Sequence, residues 1–589
     1  MFQRFDVTTR PDAAAPRVAR LREWMEREGL DAFLVPRADR FQGEYVAPSD
    51  ERLAWISGFT GSAGFAAILR ERAAIFTDGR YTLQVAAQTD PATFETVSWP
   101  ATKLADWLTE AMPNGGRVGF DPWLHTVTEI EGLSKTDGLE AVECDNGVDA
   151  IWTDRPPAPA EPMVVYPREL AGRAHSEKRA EIAEKLDGAD AFLTTQPDAV
   201  CWLLNIRGAD IPRTPVAHAM ALLHSDATVD LICHPGQAET VADHLGPDVR
   251  VVAPDRLADL LSDLGPTGID PATCPQAIHT LLQDPVRMDD PIALPKARKS
   301  PAEIAATREA HLRDATAMVR FLRWIDEERP HDATEIDVVT ALEGFRRATN
   351  MLRDISFETI AGAGPNGAIV HYRVTTETNR PLGQDTLLLI DSGGQYEDGT
   401  TDITRTIPIG APPEGAVADF TRVLQGMIAI SHTRFPKGVA GAHLDALARA
   451  PLWAEHKDYD HGTGHGVGVY LGVHEGPARI SRLSNIPLEP GMILSNEPGY
   501  YRTGAYGIRI ENLIVVEQAE PLPGGDAREM FAFSTLTWVP IDRRLIDTSI
   551  LSPAERTWLD DYHATVLERV GPRLDGEDLR WLKAACAPL

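Results

Sequence analysis

The sequence predicts an α/β protein in three segments: two related helix–strand domains, then a larger α+β domain rich in strands. Three observations lead there. Two proline-rich stretches, "RPPAPAEPMVVYP" (155–167) and "DPVRMDDPIALPKARKSP" (284–301), divide the 589 residues and read as semi-rigid connectors. The first two segments repeat one order of elements, and from about residue 355 the pattern changes to apolar strands punctuated by glycine turns. The expected domains are residues 1–155, 156–295 and 296–589.

The repeat is legible element by element. "REWMEREGLDAFLVP" reads as an amphipathic helix, a turn and an apolar strand beginning Asp-Ala-Phe-Leu, and "RAEIAEKLDGADAFLTT" has the same order in the second segment. Downstream, "LAWISGFTG" parallels "VCWLLNIRG", and the strand hairpin "GFAAILRERAAIFTDGR" parallels "AMALLHSDATVDLICHP". Helix–strand alternation of this kind builds α/β domains. Four elements in one order point to duplication rather than to chance similarity of short apolar strands. Neither copy carries a phosphate-binding glycine loop or a catalytic cluster, so the chemistry is expected in the third segment.

That segment opens with a helix. Ser300 can cap it, Pro301 suits the first helical position, and Glu303 completes a Ser-x-x-Glu capping box. Apolar spacing then predicts a helix through "PAEIAATREAHLRDATAMVRFLRWIDEE". In "TLLLIDSGGQYEDGTTDITRTIPIG", Leu387 to Ile390 is an apolar strand, and Gly393-Gly394 and Asp398-Gly399 are turn signals. Asp391 ends that strand, and Asp402 lies eleven residues later in a second strand pattern. One continuous strand would put the two carboxylates on opposite faces; reversal at the glycine turns lets them converge. Glu497 follows another apolar strand and precedes Pro498-Gly499. Glu511 sits inside "GIRIENLIVV", where Ile508, Ile510, Leu513 and Val515 mark a strand. A glutamate buried there costs several kcal/mol unless it is paired or bound to a cation. Arg509 shares its strand parity, so the two are expected in one polar site.

The uncharged stretch "HGTGHGVGVY" (461–470) sets His461 and His465 four residues apart, the spacing of a helical metal site. Gly462, Gly464, Gly466 and Gly468 weaken a helix there, so the pair needs another explanation. Asp391, Asp402, Glu497, Glu511 and a histidine make up the candidate set. Four carboxylates converging in a core repel one another unless cations intervene. Oxygen-rich sites with one imidazole suit Mn²⁺, Co²⁺ or Zn²⁺. Two such ions bridged by carboxylates activate a shared water and polarise a carbonyl, the logic of two-metal hydrolases.

Composition narrows the partners. Hydrophobic residues make up 43% and charged ones 24%, an ordinary globular balance. The formal charge, 57 − 87 = −30, comes without a basic cluster, so no nucleic-acid partner is expected. Cys144, Cys201, Cys233, Cys274 and Cys586 include no Cys-x-x-Cys pair, which argues for a reducing compartment and against a thiolate metal site. The N-terminus lacks an apolar signal core, and no run approaches the roughly 20 apolar residues of a membrane span. A cytoplasmic protein with no membrane partner is expected.

The blocks "DSGGQYEDGTTDITRT", "HGTGHGVGVYLGVHEGP", "LSNEPGYY" and "GIRIENL" resemble the signature blocks of aminopeptidase P, the Xaa-Pro aminopeptidases of the pita-bread metallopeptidase group. "FTDGRYTLQ" and "AIVHYR" fit the same resemblance, which covers the whole chain. The long cytosolic form of that family has two creatinase-like N-terminal domains before a pita-bread catalytic domain, here with a C-terminal extension. The resemblance implies two divalent metal ions on Asp391, Asp402, His465, Glu497 and Glu511, with Mn²⁺ expected and Co²⁺ or Zn²⁺ as alternatives. It implies removal of the first residue from peptides with proline second. Glu497 would accept a proton from water, and His474 would contact the scissile carbonyl or its tetrahedral intermediate. His371 would stabilise the bound substrate and His461 would line the substrate site. Arg80 of "TDGRY" is expected to reach substrate, Arg509 to share in binding it, and the chain to form a homodimer. Prolidase, a dipeptidase of the same fold, would use the same ligands, and the extra domain argues against it. A non-catalytic peptide-binding module on this fold predicts eroded ligands, and creatinase-like relatives lack the metal set.

Overall fold

A computed structural model describes residues 1–589. The chain forms two compact units, one of Thr8–Ala293 and one of Leu294–Leu589 together with Met1–Val7.

Within the unit Thr8–Ala293 lie two six-stranded mixed sheets of the same order. The first runs Glu95–Ser98, Ala73–Thr77, Phe65–Leu69, Ala32–Pro36, Gly116–Phe120, Leu139–Glu143. The second runs Val249–Val252, Val229–Ile232, Met220–His224, Ala191–Thr194, Thr267–Ile269, Pro285–Arg287. Successive neighbours pair parallel, antiparallel, antiparallel, parallel and parallel in both. Order and pairing sense both match, so the sequence repeat is a structural duplication. The Asp-Ala-Phe-Leu strand is the hinge of each copy: it pairs antiparallel with its hairpin and parallel with the strand on its other side. Both of its faces are covered, and apart from Thr194 its residues are accordingly apolar rather than alternating.

The Leu294–Leu589 unit carries the predicted capping box near its start. Ser300 Oγ accepts from the Glu303 amide while the Glu303 carboxylate accepts from the Ser300 amide, and the helix runs Pro301–Arg323 before a π-helical turn over Trp324–Glu328. Its buried Phe321 and Leu322 join one core with Leu342, the strand residues Leu387 to Ile390, Phe420 and Tyr562. Three strands, Ile360–Ala363, Thr386–Ser392 and Ile403–Ile409, form an antiparallel sheet. A six-stranded sheet runs Arg434–Pro436, Met530–Thr535, Asn512–Gln518, Ile493–Asn496, Gly464–Gly466, Glu475–Ile480.

One expected strand divides in two. "GIRIENLIVV" supplies Tyr506–Arg509, which pairs with Gly499–Arg502, and Asn512–Gln518, which pairs with Ile493–Asn496. Ile510 and Glu511 are the break between two different sheets. Strand alternation does not carry across a change of sheet, yet Arg509 and Glu511 still share one polar site, since both meet Thr404 Oγ1.

Candidate active site

The two aspartates meet through chain reversal. Thr386–Ser392 and Ile403–Ile409 pair antiparallel, with Asp391 opposite Thr404 and Ser392 opposite Ile403, so Asp402 enters the second strand beside the end of the first. Glu497 follows the strand Ile493–Asn496, its amide donating to the Thr463 carbonyl at 2.8 Å. Glu511 occupies the sheet break, where its carboxylate accepts from Thr404 Oγ1 at 2.9 Å. His465 joins them: its Nε2 lies 3.5 Å from Asp402 Oδ2 and 3.4 Å from Glu497 Oε1. One ligand atom from each of Asp402, His465 and Glu511 falls within 4.8 Å of the other two.

Charge and burial conflict at this cluster. Burial raises the Asp402 carboxyl well above its ordinary range, Asp391 and Glu497 add repulsion, and Arg509 and Arg346 oppose the shift. Glu511 is raised well above its usual value by burial, then by Asp402, Glu497 and Asp391. Glu497 is also raised by burial, with His465 and Arg509 opposing. Asp391 Oδ1 and Glu511 Oε1 are buried without a hydrogen-bond partner, which native interiors rarely tolerate. Divalent cations would satisfy both oxygens and neutralise the set, so four carboxylates and one imidazole fit metal binding here.

The glycine stretch is extended, not helical: Gly464–Gly466 is a strand. A Cβ at Gly464 would sit 2.0 Å from the Ser495 carbonyl oxygen, and one at Gly466 would sit 2.2 Å from that of Glu475. Glycine is needed because two backbones pass that closely on either side of His465. The two histidines then face different partners. His465 Nδ1 lies 3.0 Å from the Gly466 carbonyl. A proton on Nδ1 leaves the Nε2 lone pair facing two carboxylate oxygens, an arrangement that calls for a cation between them. His461 Nδ1 lies 2.8 Å from the Gly462 carbonyl, and its Nε2 lies 2.8 Å from the Tyr501 hydroxyl. His461 thus sets its Nε2 on a tyrosine rather than on the carboxylates.

Comparison with known proteins meets this geometry. The model of metallopeptidase family M24 matches residues 305–518, and a C-terminal region of that family matches 529–589. The creatinase/prolidase N-terminal domain matches twice, at residues 17–151 and 154–303. A probable Xaa-Pro aminopeptidase P of Laccaria bicolor is 37% identical, covering 97% of this chain and 93% of its own. Aminopeptidase P1 of Lotus japonicus is 34% identical, covering 95% of this chain and 97% of its own. This chain belongs to metallopeptidase family M24, in its aminopeptidase P branch. The crystal structure of X-prolyl aminopeptidase from Caenorhabditis elegans, described as a cytosolic enzyme with a di-nuclear active site, superimposes on this M24 chain with a TM-score of 0.93. Identity is 33%, covering 98% of this chain and 100% of that one. The prolidase from Pyrococcus horikoshii shares the fold over 62% of this chain, at 24% identity and a TM-score of 0.51.

The remaining expected residues of this M24 chain divide by location. His474 packs against His465, ring centroids 4.3 Å apart at 78°. His371 follows Val370, whose carbonyl accepts from Arg509 Nη2 at 3.4 Å. Arg509 is buried and occupied: it donates to Asp391, to Tyr501 and to Thr404 Oγ1. Arg80 lies in the other unit, paired with Asp78 at 2.7 Å and set over the Tyr81 ring. Sequence reasoning missed Tyr501, Thr404 and Ser495. Tyr501 accepts from Arg509 at 2.5 Å and meets His461. Ser495 Oγ accepts from the His465 amide and donates to Glu497. No periodicity distinguishes these three from ordinary strand residues; only their partners, distant in sequence, do.

Proposed function

We propose that this M24 chain is a metal-dependent Xaa-Pro aminopeptidase that hydrolyses the bond before a proline at position two and releases the first amino acid. One observation carries the reading: a buried carboxylate–imidazole cluster in a chain similar over its full length to proteins named Xaa-Pro aminopeptidase P. Asp391, Asp402, His465, Glu497 and Glu511 would hold two divalent cations, as the di-nuclear site described for the C. elegans structure suggests. Bound there, such cations activate a water and polarise the scissile carbonyl. We assign Mn²⁺, which suits a donor set of oxygens with a single imidazole; Co²⁺ and Zn²⁺ use the same donors.

The chain's own groups do the rest. Glu497 is assigned to take the proton of the attacking water, while Ser495 Oγ at 3.0 Å holds one of its oxygens. His474, stacked edge-on against His465, donates to the oxyanion that develops on the carbonyl. His371 and the Tyr501-backed His461 line the peptide site. Arg509 acts by holding Asp391, and we assign Arg80 to substrate contact. We assign domains to residues 1–155, 156–295 and 296–589, a homodimer, and a cytoplasmic site of action. No helix is long and apolar enough to cross a membrane.

The test uses metal-stripped protein resupplied with Mn²⁺, offered Xaa-Pro-Xaa and Xaa-Pro peptides. Release of one free amino acid from the tripeptides is expected. Cleavage of dipeptides alone would give the prolidase reading, and equal cleavage of Xaa-Ala peptides would remove proline selectivity.

A further inference from the structure

We propose that Lys296 and Lys299 are positioning residues for catalysis: through the buried carboxylate of Glu475 they fix His474. The inference rests on the role given to His474 above.

Lys296 Nζ lies 3.1 Å from Glu475 Oε2, and Lys299 Nζ donates to Glu475 Oε1. All three side chains are buried, with 6%, 3% and 2% of their surface exposed. Two ammoniums share one buried carboxylate. Removing ions from water is costly, and apolar residues of the same volume often serve stability as well. What this arrangement supplies beyond stability is a fixed position for Glu475, and Glu475 is central to the site. It directly follows His474. Its backbone stands opposite Gly466 in the strand pair Gly464–Gly466 and Glu475–Ile480, where the register shifts between His465 and Gly466. Its carbonyl lies against Gly466, and its Oε2 would be 3.2 Å from a Cβ at Gly468. A shift in the Glu475 carboxylate therefore acts first on His474, the residue directly before it.

Lys299 is itself anchored. Its amide donates to the Gly491 carbonyl, and Gly491 donates to Val516 in the strand next to Ile493–Asn496. The ion triad thus adds a side-chain tie from Glu475 to the segment anchored beside the strand Ile493–Asn496 that leads into Glu497.

The charge count selects the variants. Lys299→Met keeps the Lys296–Glu475 pair and should fold, whereas Glu475→Gln removes the carboxylate that both ammoniums face. In the Mn²⁺-loaded protein we expect Lys299→Met to lower kcat on a Xaa-Pro-Xaa peptide about 10²-fold, the scale of a small misplacement of a reacting group, at unchanged KM and Mn²⁺ content. In a His474→Ala background the same substitution should change kcat less than about threefold, because the two residues act as one unit. Equal losses in both backgrounds, or a lower Tm with kcat retained, would overturn the proposal. If Lys299→Met does not fold, the apolar triple variant Lys296→Met/Lys299→Met/Glu475→Leu takes its place with the same expectations. A second readout needs no turnover: in protein loaded with diamagnetic Zn²⁺, the His474 imidazole NMR signal, assigned by its loss in His474→Ala, should move in Lys299→Met while that of the buried His563 stays. An unmoved His474 signal overturns the positioning role. Wild-type protein that binds Mn²⁺ but cleaves no Xaa-Pro peptide overturns the proposed function, and the NMR comparison still decides the role of the lysines.

Discussion

Arg509 and Asp391, 118 residues apart in the chain, are joined by a 2.6 Å ion pair in which Arg509 Nη2 donates to Asp391 Oδ2. The same guanidinium donates to Tyr501, which meets His461. One buried cation therefore links a carboxylate of the proposed metal set to a histidine of the proposed peptide site. Arg509→Met should leave Asp391 short of its cation, lower Mn²⁺ affinity, and cost about 10²-fold or more in kcat/KM. Arg509→Lys should rescue little, since one ammonium cannot span Asp391, Tyr501 and Thr404 as a planar fork does. Metal titration and steady-state kinetics on both variants check this; full rescue by lysine would show that charge alone is what the site needs.

Asp402→Asn should abolish turnover while the metal-free protein becomes more stable. The amide is a poorer ligand, and it removes one of the charges that burial and repulsion already disfavour. Thermal unfolding in chelator, with and without the substitution, should show a higher Tm for the variant, and the order should reverse in excess Mn²⁺. A folded, metal-loaded variant with full turnover would remove Asp402 from the site.

The two histidines should separate by metal content. His465→Ala should lose Mn²⁺ as well as rate, because its Nε2 faces two carboxylates. His461→Ala should keep Mn²⁺ and lose mainly turnover or substrate affinity, by roughly 10²–10⁴-fold if its acid–base or hydrogen-bonding role matters. Metal analysis of both purified variants at matched pH decides it, and the opposite pattern would exchange their roles.

The stabilising effect of metal should grow with pH. In the metal-free protein Asp402, Glu497 and Glu511 carry pKa values raised by burial and by one another, so the folded state keeps protons that the unfolded chain has released. Their contribution to stability is complete below the ordinary carboxylate range and is lost as pH rises through the raised values. Metal binding requires the ionised forms, so the Tm gain on adding Mn²⁺ should be larger near about pH 8 than near about pH 5. A gain that does not change across that interval would falsify the linkage.

The sequence by itself determined the local features. Ser300 to Glu303 capped the long helix where expected, and the continuous apolar run Leu387 to Ile390 became a strand covered on both faces. The repeated Asp-Ala-Phe-Leu blocks marked two copies of one sheet. The carboxylates, too, were legible as charges that an apolar setting could not tolerate singly. Signals of this kind are local, set by spacing, capping and side-chain type along a few residues. Tertiary structure decided the rest. It put the sheet break at Ile510 and Glu511, where strand parity had suggested continuity, because neighbouring residues were claimed by hydrogen bonds to two different sheets. It paired Arg509 with Asp391 and joined it to Glu511 through Thr404 Oγ1, and it set His461 on Tyr501 and His465 among the carboxylates. Two histidines in one glycine-rich stretch carry the same local signal; the backbones of Ser495 and Glu475, packed within a Cβ's reach of Gly464 and Gly466, turn them toward different partners. Such close approaches are made between segments distant in sequence, so no spacing within either segment encodes them.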